Sequence, residues 1–189
     1  HRVDRRQRQM CIRDSNIANA DANGYVNFGN GYMRRSSMNL HDWYGVVTNL
    51  NIDNGGDFTY NVGIDGRTYT GTHFRQMANM YGASGYTDNY RWGSRPSGFT
   101  VTETYPADPW STFFGNYAPE DQRYAYDYEE TINYIGGFGQ VEYSKDRWST
   151  FLQGSLSSQS MQRTGRSDGF DGSALGTNDK QTFDGYNIK

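Results

Sequence analysis

Cysteine is almost missing from this chain: one residue, Cys11, in 189. That rules out a disulfide scaffold and leaves the compartment open. Proline is scarce, at four residues. No run approaches the roughly 18 apolar residues of a membrane helix. Positive charge is not in excess either, since 18 basic residues face 21 acidic ones. A polyanion partner, and nucleic acid in particular, is therefore not expected. Histidines number three, His1, His41 and His73, and the two in the body lack the spacing of a zinc site.

What is present points to β structure. Only 34% of the chain is hydrophobic, yet aromatics reach 16% and glycine 23 residues. Abundant Tyr, Gly, Asn, Thr and Ser with few aliphatics argues for strands joined by long polar loops. The length suits one domain with a sizeable core. No signal peptide is visible and the first residue is not Met, so an exported protein would begin further upstream.

The first fifteen residues, HRVDRRQRQMCIRDS, differ in composition from the rest. They hold Arg2, Arg5, Arg6, Arg8 and Arg13, two acids and the only cysteine. A basic arm for nucleic acid is one reading and a disordered terminus another. The string also resembles translated sequencing-adapter DNA, and residues 1–15 are on that ground set apart from the fold and expected to be disordered. The remaining body carries 13 basic and 19 acidic residues, a formal charge of −6.

Phe58, Tyr60, Val62 and Ile64 alternate with Thr59, Asn61, Gly63 and Asp65, the period of a half-buried strand. Folding the flanks about the DNGGD turn at 53–57 places Ile52 opposite Phe58, Leu50 opposite Tyr60, Thr48 opposite Val62 and Val46 opposite Ile64. The other face then pairs Asn49 with Asn61, Val47 with Gly63, Gly45 with Asp65 and Trp43 with Arg67. A slip of one residue would invert these faces. A second hairpin turns at SKDR, 144–147, with Tyr143 opposite Trp148 and Val141 opposite Thr150; Phe138 and Phe151 fall on its polar face. Strands are expected at about 38–52, 58–72, 132–143, 148–158 and 182–189, with a long loop over about 74–131.

Short turns alternating with long links is the arrangement of outer-membrane barrels. Spanning strands need about 9–11 residues, and Phe58, Tyr143 and Trp148 beside the short turns suit an aromatic girdle. The fold class expected is all-β, an antiparallel up-and-down meander of about five long strands, as a piece of a transmembrane β-barrel. A soluble β-sandwich also alternates and remains the other reading.

The segments RRSSMNLHDWYGVVTNLN, FTYNVGIDGRTYTGTHFRQMANMYGA, YIGGFGQVEYSKDRWSTFLQGSLSSQSMQR and TFDGYNIK resemble consecutive barrel strands of TonB-dependent outer-membrane receptors, of the large Bacteroidetes type. The resemblance covers about two thirds of the chain. It implies a bacterial outer-membrane location, a 22-stranded barrel around a plug domain, and TonB-energised uptake of a scarce small nutrient such as a metal chelate, vitamin or glycan. It implies outer-membrane lipid as a partner, and TonB and the plug only through parts of a parent chain with no counterpart here. No plug or TonB-contact residue carries over, because only wall strands resemble the family.

No Ser-His-Asp or Cys-His pattern stands out, so neither an enzyme nor a cofactor is expected. His41 and His73 lack zinc-site spacing and read as hydrogen-bonding residues. SDGFDG, 167–172, lacks the alternating acids of a calcium loop and reads as a turn. GGFGQ, 136–140, lies inside a strand rather than before a helix; its glycines read as thinning the wall for a neighbouring backbone or plug. Asp127, Glu129 and Glu130 read as a solvated rim. The long link is the candidate ligand site, with Tyr86, Tyr90, Trp92, Tyr105, Trp110, Phe113 and Phe114 as its rings. Aromatic-rich loops give rigid contact area at low entropy cost, and a self-packed cap over a barrel mouth would use the same residues. A secreted soluble β-domain binding glycans through this loop is the alternative function.

Overall fold

A computed structural model describes residues 2–89, 98–167 and 175–189. In chain order it contains α1 (Arg2–Asn19), β1 (Tyr25–Val26), β2 (Arg34–Asp53), β3 (Phe58–Asn79), β4 (Gly85–Asp88), β5 (Phe99–Val101) and α2 (Pro109–Phe113). A 3-10 turn over Glu120–Gln122 follows, then β6 (Tyr124–Lys145), β7 (Trp148–Gly165), β8 (Gly176–Thr177) and β9 (Gln181–Ile188). The fold is all-β in class, an antiparallel up-and-down meander. The large sheet runs β2-β3-β6-β7-β8, with β9 also on β7. Consecutive long strands are thus neighbours throughout. Leu156 faces Tyr186 and Gly154 faces Ile188 in the last pairing.

The strands are longer than alternation alone marks. β3 continues to Asn79 and β6 begins at Tyr124; FRQMAN shows no simple period, whereas Tyr124, Tyr126 and Tyr128 do alternate, a stretch left inside the expected loop. A ladder of backbone bonds needs a partner strand, not an apolar pattern, so the strands extend as far as each meets the other. β6 ends at Lys145 and β7 begins at Trp148, a tighter turn than the four residues expected. Asp146 takes a positive φ of 54° there, a conformation that Asp and Asn tolerate better than most residues.

The chain divides into two compact units. The first comprises 1–40, 72–129 and 164–176; the second comprises 41–71, 130–163 and 177–189. Much of the long loop expected over 74–131 is folded body of the first unit: β3 runs on to Asn79, β4 and β5 lie within it, and β6 begins at Tyr124. β4 and β5 pair antiparallel and β1 adds a parallel neighbour. Val26, Met77, Met80, Tyr86, Val101 and Tyr124 form one buried cluster, and Met38, Phe74 and Ala118 a second. Each large side chain so buried contributes about 1.5–3 kcal/mol.

The disorder expected for residues 1–15 is also corrected. Residues 2–15 lie within α1, whose Arg- and Gln-rich sequence has good helix propensity and an Arg8–Asp4 ion pair one turn apart. Cys11 stays exposed. The anchor is Asn16, fully buried. Its amide donates to Tyr32 O at 2.8 Å and Met80 O at 2.9 Å, and its oxygen accepts from Tyr32 N at 2.8 Å.

In the second unit, the β3–β6 contacts share one antiparallel register. Phe58 meets Tyr143 with ring centroids 5.0 Å apart, Thr68 bonds Asn133 at 2.8 Å, and the Arg67 guanidinium lies 5.4 Å from the Tyr134 ring. Phe138 lies across Gly63: a Cβ at Gly63 would sit 2.4 Å from the ring and 2.7 Å from Thr48 O. Glycine at 63 is therefore what lets an aromatic residue lie on the polar face. At the turn end, Lys145 pairs with Asp57 at 3.0 Å, and Ser144 N donates to Asp57 O at 2.8 Å.

Candidate functional site

The seven aromatic residues expected to meet a ligand do not act as one group. Tyr86, on β4, is only 2% exposed and meets Tyr124 edge-on at 5.6 Å. It is a core residue, and burial pushes its hydroxyl far above the usual tyrosine range. The loop's own residues carried no sign of this, because Tyr86 is buried by Val26, Met77, Met80, Val101 and Tyr124 from other strands.

Tyr105 is half-buried against the Met38–Phe74–Ala118 cluster. Its backbone N–H donates to Met77 O at 2.8 Å, and its hydroxyl donates to Glu103. Burial first, then that bond and the neighbouring acids, raise the hydroxyl to about 12. Tyr90 and Trp92 lie outside the described residues.

Trp110, Phe113 and Phe114 remain, and they do cluster. Asp108 caps α2, accepting from Ser111 N at 2.9 Å, and Pro109 opens its first turn. These are favoured residues at those positions. The backbone bond from Ser111, foremost, holds the Asp108 carboxyl below the usual carboxylate range. The turn sets Trp110 6.4 Å from Phe113 and Phe113 5.3 Å from Phe114, both pairs nearly perpendicular. All three side chains are more than 70% exposed. Ring faces left open in this way can stack on a planar or sugar-like ligand or accept a cation.

The carboxylates assigned to a solvated rim behave differently. Asp127 is buried and pairs with Arg123 at 3.1 Å. Arg166 reaches Glu120 at 2.9 Å, Glu129 at 3.2 Å and Asp127 at 3.6 Å. The Arg123 guanidinium also lies 4.0 Å from the Phe74 ring and donates to Ala118 O at 2.9 Å. This is a structural clasp within the first unit. Arg166 stands too far along the chain from Asp127 for any spacing rule to have joined them. Glu130 belongs to the second unit, 4.0 Å from Arg163.

Both body histidines are hydrogen-bonded. His41 Nδ1 lies 2.6 Å from the Tyr69 hydroxyl, opposite it in the expected β2–β3 register. His73 Nδ1 lies 2.7 Å from Asn39 Oδ1 and its ring stacks on Tyr128 at 4.9 Å. Among the described residues no three His, Cys, Asp or Glu side chains gather as a metal site, and the SDGFDG turn falls mostly outside them. Among the same residues no helix is long and apolar enough to cross a membrane.

The sheet of the second unit carries the other candidate surface. On β3, Phe58, Tyr60, Val62 and Ile64 are 38–61% exposed. Their alternate neighbours Thr59, Asn61 and Asp65 are half-buried and Gly63 is buried. Asn61 Oδ1 is fully covered yet has no protein partner. Along this stretch of β3 the burial order is the reverse of a water-soluble strand, apolar out and polar in, while β2 beside it is exposed on both faces.

No family model, curated protein or solved structure matches the chain.

Proposed function

We propose that this chain is part of the wall of an outer-membrane β-barrel, and that the barrel is a TonB-dependent receptor importing a scarce small nutrient. The single observation that carries the barrel reading is the inverted polarity of β3. Water charges about 25 cal/mol for each Å² of apolar surface left exposed, so four outward apolar side chains in succession require another solvent. Lipid is that solvent, and the opposite face, with Asn61, Asp65 and Arg67, then lines a wet lumen. The strand lengths agree, since β2, β3, β6 and β7 have 18–22 residues each, more than the roughly 9–11 that a span needs. The receptor assignment rests on the resemblance of the strand segments. The role is transport without catalysis or cofactor.

The test uses adjacent residues in the parent receptor. Val62→Arg places a cation in lipid, costing about 2–4 kcal/mol at the bilayer midplane, and should lower the heat-modifiable, membrane-inserted fraction. Asn61→Arg, on the polar face, should insert nearly as well as the unaltered protein. Equal insertion of the two variants would reject the facing.

The exposed rings of α2 favour a second reading, a secreted β-domain that binds glycans. Under it the chain partitions into the aqueous phase on detergent phase separation, and Trp110→Ala with Phe113→Ala abolishes glycan binding. Under the barrel reading the same rings sit on the ligand's route, and the double change weakens ligand capture by a membrane-inserted protein.

A further inference from the structure

Gly137 and Gly139 of β6 meet little inside the chain, unlike Gly136, where a Cβ would sit 2.5 Å from the Tyr134 hydroxyl. A Cβ at Gly137 would lie 3.6 Å from Gly63 O and 3.9 Å from Ile64, and one at Gly139 would lie 3.8 Å from Val62. On β7, a Cβ at Gly154 would lie 3.9 Å from Asn187 O. These are ordinary van der Waals separations, so larger residues would fit. Glycine nonetheless weakens a strand interior, through entropy and the missing side chain. Gly63, whose Cβ would strike Phe138, shows the contrast.

What the three glycines do create is space. They floor an open hollow of about 840 Å³ in the second unit, walled by Val62, Ile64, Leu156 and Tyr186. Among the described residues no Asp, Glu, Lys or Arg lines it. Its volume falls in the range of pockets that hold small molecules, roughly 300–1,000 Å³. The backbone at its β7 side is already paired to β9, Gly154 to Ile188 and Leu156 to Tyr186. An occupant is therefore offered apolar contact, no charge and few hydrogen bonds.

We infer that this hollow seats one acyl chain of a membrane phospholipid, with Gly137, Gly139 and Gly154 kept small to admit it. The inference rests on the lipid-facing reading of the second unit. An alkyl chain matches the lining in having neither charge nor polar groups to satisfy. A peptide segment would bring backbone N–H and C=O groups that the hollow cannot pair. A charged nutrient would meet no counter-charge.

The test reconstitutes the full chain into dioleoylphosphatidylcholine vesicles, extracts it in mild detergent and counts retained lipid by native mass spectrometry. The unaltered chain should carry one phospholipid. Gly139→Leu and Gly154→Leu, which fill the floor, should each lower that occupancy about tenfold, the effect of losing the contact of about two methylenes. Ser144→Leu, at the exposed end of β6, should leave it unchanged. A measurement on the unaltered chain guards against misfolded variants. In nanodiscs, phosphatidylcholine spin-labelled on its acyl chain should broaden the Gly139 and Gly154 amide signals beyond those of Val46 and Ile135. Failure to enter vesicles at all would sink the lipid-facing reading. Entry with equal lipid retention in all variants, or with uniform broadening, would overturn the hollow alone.

Discussion

Asp127 lies at the centre of the clasp in the first unit, and removing its carboxylate tests whether that clasp holds the unit together. Its side chain is 1% exposed and that of its partner Arg123 is 8% exposed. Asp127→Ala would leave the Arg123 guanidinium with only the Ala118 carbonyl and the Phe74 ring face. Arg166 would keep Glu120 and Glu129. Stripping one partner from a buried ion pair costs about 3–5 kcal/mol, because the remaining charge is left in a poor solvent. With a urea slope of about 1–3 kcal/mol per M, the midpoint should fall by on the order of 1–5 M. Asp4→Ala removes an exposed ion pair, 63% exposed on the acid side, and should shift stability by less than about 0.5 kcal/mol. The assay is urea unfolding of the chain held in dodecyl maltoside, followed by intrinsic fluorescence. The double change Arg123→Met with Asp127→Leu should recover much of the loss, since an apolar pair of similar volume needs no counter-charge. If Asp127→Ala unfolds at the same urea concentration as Asp4→Ala, the clasp carries no load and this reasoning is wrong.

Asn16→Ala should destabilise the first unit, about 1–3 kcal/mol for each buried backbone group left unsatisfied at Tyr32 and Met80; an unchanged melting curve would show that α1 is dispensable. Gly63→Ala should cost about 1–3 kcal/mol through overpacking, because the Thr48 carbonyl cannot yield as the Phe138 ring can. Gly66→Ala, with nothing within 4 Å of its Cβ, is the matched control in the same unfolding assay. Tyr105 supplies a pH test. Its folded value of about 12 lies above the ordinary 10.0, so the native state holds the proton longer and the stability it lends is complete below pH 10. That stability drains away as pH rises through about 12, and Tyr105→Phe should flatten this part of the alkaline unfolding profile.

The strand alternation, the first turn, the consecutive meander and the split of β3 into an apolar and a polar face were all legible in the residues. They depend on a side-chain period of two and on turn chemistry, both properties of a few neighbouring residues. Tyr69 opposite His41 follows from the same local arithmetic. What lay beyond reach was everything set by partners far away in sequence. β3 runs seven residues past its expected end and β6 starts eight before its expected beginning, because the two strands pair along that stretch. Residues 80–123 read as an open loop because their apolar residues arrive irregularly. Only when Val26, Met77, Tyr86 and Tyr124 come together does that spacing become a core. The same event sorts the aromatic residues: Tyr86 is enclosed by strands from either side of it, while Trp110, Phe113 and Phe114, on a short helix capped by its own Asp108, find no covering surface. Asp127 and Asn16 are polar residues that no pattern marks as interior, and burial became possible only once Arg123 and the Tyr32 and Met80 backbone were folded around them. Local periodicity is written into consecutive residues; which polar group is buried, and which ring is left open, depends on which distant segments close over it.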